Sequence, residues 1–161
     1  MSTIIFELTQ NNFMVTFKYG DVTGKIIGLA LKIHNTLGCG FLEVVYQRAM
    51  ELECKLNNVK YAREFELPIF YNNCLIGKRR VDFLIEEKIS VELKTVPKIE
   101  PIHIAQIMNY LRIHNLEVGL LINFGSKSLE FHRFTNKDFK MNFITTDFRN
   151  MQNPIYPNKS S

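Results

Sequence analysis

Alternation of apolar and polar side chains divides the chain into segments with a helical period and segments with a strand period. Ile26, Ile27, Ala30, Ile33 and Leu37 recur at helical spacing, which predicts a first helix over residues 21–37 that stops at Gly38. The "GCG" that follows demands a turn. Leu42, Val45, Ala49, Leu52 and Leu56 predict a second helix over residues 42–57 with that stripe buried. Phe65, Leu67 and Ile69 alternate with Glu64, Glu66 and Pro68, the signature of a half-buried strand. Pro68 has no N–H to give, so this strand belongs at a sheet edge. After the turn signal "YNN", residues 79–96, "RRVDFLIEEKISVELKTV", read as two strands joined at "EEK". A third helix follows Pro101, with Ile104, Ile107, Met108 and Leu111 as its buried face. "VGLLINF", residues 118–124, is an unbroken apolar run suited to a central strand, and residues 129–134 add a last strand. This order of elements packs most economically as a mixed sheet covered by helices.

Residues 1–20 read as an extended lead-in and residues 149–161, with two prolines and little apolar content, as a flexible tail. Residues 21–148 between them form one domain, as a length of 161 residues suggests. A hydrophobic share of 46% against 22% charged residues is that of a globular chain with its own core, not of a disordered one. Cys39, Cys54 and Cys74 are odd in number and lack paired spacing, which excludes a zinc cage and points to reduced thiols in a cytoplasm. No segment reads as a secretion signal or a membrane span. The net charge of +4 is compatible with a polyanionic partner and also ordinary for a soluble protein. Position decides more than total charge.

The hairpin is where charge position matters. Val81, Phe83 and Ile85 face one way and Arg80, Asp82 and Leu84 the other; on the return strand Ile89, Val91 and Leu93 face the core, while Ser90, Glu92 and Lys94 do not. A three-residue turn centred on Glu87 sets Asp82 opposite Glu92, and directly opposed side chains have Cβ atoms ~4.5–5.5 Å apart. Like charges there destabilise the hairpin unless a proton, a salt bridge or a cation compensates. Carboxylate oxygens are hard ligands, and one or two of them plus water and a substrate phosphate is the usual Mg²⁺ arrangement. Lys94 shares the face of Glu92 and is suited to hold a water or neutralise a phosphate. A solvated charged face, with the acids paired to Arg80 and Lys94, is the other reading.

An Asp followed by Glu-x-Lys on adjacent strands resembles the core motif of the PD-(D/E)XK nuclease superfamily. "GCGFLEVVYQRAMELE", "RVDFLIEEKISVELKTV", "HIAQIMNYL" and "GLLINFGSKSLEFHRF", in that order over residues 21–135, are more closely similar to its bacterial GxxExxR branch. The resemblance implies a single α/β domain with a restriction-endonuclease-like mixed sheet flanked by helices. It also implies a Mg²⁺ or Mn²⁺ cofactor and a metal-dependent nuclease acting on phosphodiester bonds, with DNA the expected nucleic acid. Asp82 and Glu92 correspond to metal ligands and Lys94 to the catalytic lysine. Glu43, in Gly40-Phe41-Leu42-Glu43, corresponds to a helix-borne acid that completes the metal site. Val81 replaces the proline of the superfamily name, and Tyr46 stands where the branch's nickname has arginine.

Glu43 borders the expected apolar stripe, and its other reading is a first-turn acid favoured by the helix dipole. His103, Gln106 and Tyr110 share one face of the third helix. Gln106 resembles the glutamine that positions lysine or substrate in related nucleases; His103 is either a phosphate contact or a structural residue. Lys78, Arg79 and Arg80 precede the acids and suit a phosphate track, the alternative being a charged turn. No P-loop, zinc finger or helix-turn-helix is present in the sequence. The expected enzyme has two rivals: a catalytically silent nucleic-acid-binding or protein-interaction module on the same fold, and a hydrolase of small phosphorylated molecules. The oligomeric state is open, a homodimer included.

Overall fold

The computed structural model describes residues 17–139. The expected lead-in, apart from its last residues, and the expected tail lie outside the described residues. Five strands, β1 (Tyr61–Tyr71), β2 (Cys74–Ile85), β3 (Ile89–Lys94), β4 (Val118–Asn123) and β5 (Glu130–Thr135), form one sheet in chain order. Only β3 and β4 pair in parallel; the other three pairings are antiparallel. The parallel pair needs a crossover, and α3 (Pro101–Ile113) supplies it. α1 (Gly20–Leu37) and α2 (Glu43–Leu56) cover one face through Ile26, Ala30, Ile33, Tyr46 and Met50, which pack on Phe83, Val91, Leu120 and Ile122. α3 covers the other face, with Ile107 against Leu121 and Leu111 near Leu84.

Every element expected from the pattern is present, and Pro68 lies on the edge strand as expected. β1 and β2 are longer than their apolar alternation indicated. They pair to their ends around Asn72 and Asn73, whose φ values of 46° and 62° suit a two-residue hairpin turn. Backbone pairing continues there where side chains on both faces meet water, so periodicity could not show it.

The buried stripe of α2 differs from the expected one. Tyr46, Met50 and Cys54 face the core, while Leu42, Leu52 and Leu56 are 77%, 56% and 67% exposed. Tyr46 decides the orientation. Its hydroxyl donates to the Gly38 carbonyl at 2.7 Å, and its ring stacks on Phe124 with centroids 4.5 Å apart. A tyrosine whose hydroxyl finds a partner can be buried like phenylalanine, and Met50 and Cys54 join it on the buried face. Gly40, at φ 111°, makes the turn that brings the chain into α2. On α3, Met108, expected on the buried face, is exposed, and Tyr110, not expected there, is buried.

Met50 and Leu52 give opposite forecasts on one helix. Met50→Ala is expected to cost about 2–5 kcal/mol in chemical denaturation. Leu52→Ala is expected to stay within roughly 0.5 kcal/mol of the parent. Equal losses would mean that α2 is turned differently.

Candidate active site

The β2–β3 hairpin has the register expected of it. Ile85 pairs with Ile89, Leu84 with Ser90 and Phe83 with Val91, around a three-residue turn in which Glu86 and Glu87 are left-handed. Lys88 N–H closes the turn on the Ile85 carbonyl at 3.0 Å. Continued by one step, that register sets Asp82 across from Glu92. Regular pairing ends before that step.

The face assignment of β2 changes at the same point. Phe83 and Ile85 join the α1–α2 core and Leu84 the α3 side, as alternation requires. Val81, expected beside Phe83, instead packs with Leu84, Tyr110 and Leu111 on the α3 side. The strand therefore rolls over at Asp82. Opposite it, Glu64 adopts φ 51°, and the β1–β2 ladder passes from Arg63↔Phe83 to Phe65↔Val81. Irregularities of this kind re-aim side chains beside functional sites.

Asp82 occupies the notch where β2 leaves β3. Its Oδ2 accepts the Leu93 N–H at 2.7 Å, and its Oδ1 accepts the Gln47 side-chain amide at 2.8 Å. Glu92 is 5% exposed; its Oε1 accepts Lys94 Nζ at 3.0 Å, and its buried Oε2 has no partner. Glu43 is the first residue of α2, after an N-cap residue, Leu42, whose side chain makes no capping hydrogen bond. Its carboxylate receives the Gln47 amide at 3.4 Å and feels the charges of both Asp82 and Lys94.

Burial is the largest influence on all three acids. It holds Glu43 above its ordinary pKa, with Asp82 adding to the rise and Lys94 opposing it. Burial raises Asp82 too, against the Leu93 N–H and Lys94, with Glu64 reinforcing the rise. Glu92 is pushed up to about 6 by burial and then by Asp82, despite Lys94. The lysine offsets the repulsion only in part.

These groups provide hard oxygen donors, a buried carboxylate oxygen with no partner, and one ammonium group. That donor set fits a Mg²⁺-type cation, which keeps several waters and takes one or two carboxylates. Among the described residues no three His, Cys, Asp or Glu side chains already converge into a metal cluster. Asp82 and Glu92 are thus the core of the set, with Glu43 at its margin.

Alternation divides the other candidates. Arg79 lies on the α3 side with its guanidinium 5.0 Å from the Tyr110 ring centroid, and its charge reaches Glu92. Lys78 and Arg80 are exposed and bridge to Glu66 and Glu64 at 3.3 and 3.5 Å. Surface pairs of this kind hold weakly. Gln106 has a buried Oε1 without a partner, as does the Tyr110 hydroxyl one turn later. His103 Nδ1 accepts the Glu100 N–H at 3.0 Å and so completes the start of α3.

Two residues not foreseen from the sequence support the site. Gln47 follows Glu43 by one helical turn, the only signal available for it. Asn123, fully buried, donates to the Val96 carbonyl at 2.8 Å and to Glu130 Oε2 at 3.1 Å, while its Oδ1 accepts Val96 N–H and Gly125 N–H, each at 3.0 Å. Phe124 N–H donates to the Lys94 carbonyl at 2.7 Å. A Cβ on Gly125 would lie 2.5 Å from Val96 N, so only glycine permits this approach. The chain after Lys94 is clamped.

Glu92 gives a pH test. Its folded pKa near 6 stands above the ordinary 4.5, so folding favours the protonated acid. The stability from that proton is full below about pH 4.5 and is lost as pH rises through about 6. The loss is on the order of 2 kcal/mol. Glu92→Gln, which cannot ionise, is expected to match the parent near pH 4.5 and to melt higher than it at pH 7.5 without divalent cations. A difference independent of pH would contradict this account.

The family profile described as the PD-(D/E)XK nuclease superfamily matches residues 20–134. No curated protein matches the chain. Among solved structures, one titled "Crystal structure of SSO0001" is similar at 20% identity with a TM-score of 0.48. The match covers 73% of this chain and 60% of that one, so this chain spans about three-fifths of that protein's length. With the profile covering most of its length, and with a five-stranded mixed sheet between helices, the chain belongs to the PD-(D/E)XK nuclease superfamily and has its restriction-endonuclease-like fold.

Proposed function

We propose that this chain is a Mg²⁺- or Mn²⁺-dependent nuclease of the GxxExxR branch, hydrolysing phosphodiester bonds in DNA, with residues 21–148 as its catalytic domain. The observation that carries the reading is the buried, unpartnered Oε2 of Glu92 beside Asp82 and Lys94. A solvated charged face would leave these acids in water, whereas here burial raises all three.

In this reading Asp82 and Glu92 hold the cation, with Glu43 approaching from α2. The bound ion supplies Lewis-acid stabilisation of phosphate charge and lowers the pKa of a bound water. Lys94 Nζ, kept near Glu92 Oε1, is placed to orient the attacking water or to meet negative charge developing on the phosphate. Arg79, braced on the Tyr110 ring, is the basic residue on the same face as Glu92 and Lys94, and it is suited to the flanking phosphate. Lys78 and Arg80 would add weaker attraction from the opposite face. Gln106 would orient Lys94 or the substrate through its free Oε1.

Labelled plasmid, linear duplex, single-stranded DNA and RNA, each with Mg²⁺, Mn²⁺ or chelator, test the reading. Cleavage of DNA is expected to require the cation and to fall at least ~100-fold in Glu92→Ala and in Lys94→Ala, the scale for losing a positioned catalytic group. Cation-dependent cleavage that survives both substitutions would refute the assignment. DNA binding without cation binding or turnover would identify a silent binding module instead.

A further inference from the structure

Gln47 belongs to neither the fold's core nor the named motif, yet its amide lies between two of the acids. It extends from the second turn of α2 and donates to Asp82 Oδ1 at 2.8 Å and to Glu43 Oε1 at 3.4 Å. The chemistry fixes its orientation: with the amide reversed, its carbonyl oxygen would face two carboxylates, so the NH₂ must point at them. Asp82 Oδ2 is meanwhile held by the Leu93 N–H. Each Asp82 oxygen is therefore engaged by one neutral donor and keeps a second lone pair, and the plane of the carboxylate is set from both ends. Glu92 is arranged differently. Lys94 takes Oε1 and leaves Oε2 free.

We infer that Gln47 is a positioning residue for the cation site: its amide fixes the carboxylates of Asp82 and Glu43, so that the remaining lone pairs of Asp82, beside Glu92, are held ready for the ion. This rests on the proposed metal-dependent reading, and it assigns a role to a side chain outside the superfamily's named motif. A neutral donor suits the task better than lysine or arginine would. A fixed positive charge between the acids would satisfy them and compete with the incoming cation, whereas an amide orients carboxylates without neutralising them. Partners that orient the ligands in this way commonly change metal affinity 10–100-fold when removed.

The test is calorimetry with Mn²⁺ at pH 7.5 on the full chain, comparing the parent, Gln47→Met and Gln47→Ala. Methionine keeps the length and bulk of glutamine and removes the donor; alanine removes both, and it serves if methionine packs poorly. Mn²⁺ affinity is expected to fall at least tenfold in both, with the circular dichroism spectrum unchanged. Melting curves without metal separate a merely structural contact. A lowered melting temperature with the Mn²⁺ affinity within twofold of the parent would overturn the inference and leave the cation reading standing. A parent that binds no Mn²⁺ would overturn both.

Discussion

Burying the Glu92 carboxylate beside Asp82 removes solvation that one ammonium group does not fully offset, and the neighbouring elements are arranged around that imbalance. Lys94 is held at Glu92 because the chain beyond it is clamped by Asn123, by the Phe124 N–H and by the close approach at Gly125. Asp82 is held by a backbone N–H from β3 and an amide from α2. Donors reach the acids from two elements, β3 and α2, and still one buried carboxylate oxygen is left over. A fold selected for stability alone would replace such a group with an apolar one, since an unsatisfied buried acceptor is costly. On the proposed reading, a bound cation supplies the partner that this oxygen lacks.

Much of the architecture was legible because it rests on periodicity. The central strand β4 announced itself as an apolar run, Pro68 marked an edge, and Pro101 marked the start of α3. The centre of the hairpin turn follows from taking "EEK" as a three-residue turn, with alternation excluding a one-residue slip, and the pairing of Ile85 with Ile89 agrees with it. The face of α2 could not be placed in this way. Two apolar stripes compete on that helix, and the winner is set by a tyrosine whose burial depends on a distant carbonyl and a distant phenylalanine. Such partners are invisible at the level of local spacing.

The site divides along the same line. Asp82, Glu92 and Lys94 could be brought together from one hairpin because their relation is local. Gln47 and Asn123 reach the site only through tertiary structure, and neither residue type signals a role by itself. The triplet Lys78–Arg80 illustrates the reverse relation, in which neighbours in sequence are divided between two faces. In an extended strand they alternate, so Arg79 meets Tyr110 while its neighbours pair with glutamates on the opposite face.

The roll of β2 at Asp82 has a topological consequence. A regular sheet is a partition: side chains on one surface cannot share a ligand with those on the other. Here the strand is read in one frame up to Val81 and in the opposite frame from Phe83, so the residue at the join belongs to neither surface. Asp82 can thus be addressed by α2 from one layer and by the charge of Lys94 from the other. A change of frame in a single strand opens a doorway through the partition without removing any strand from the sheet.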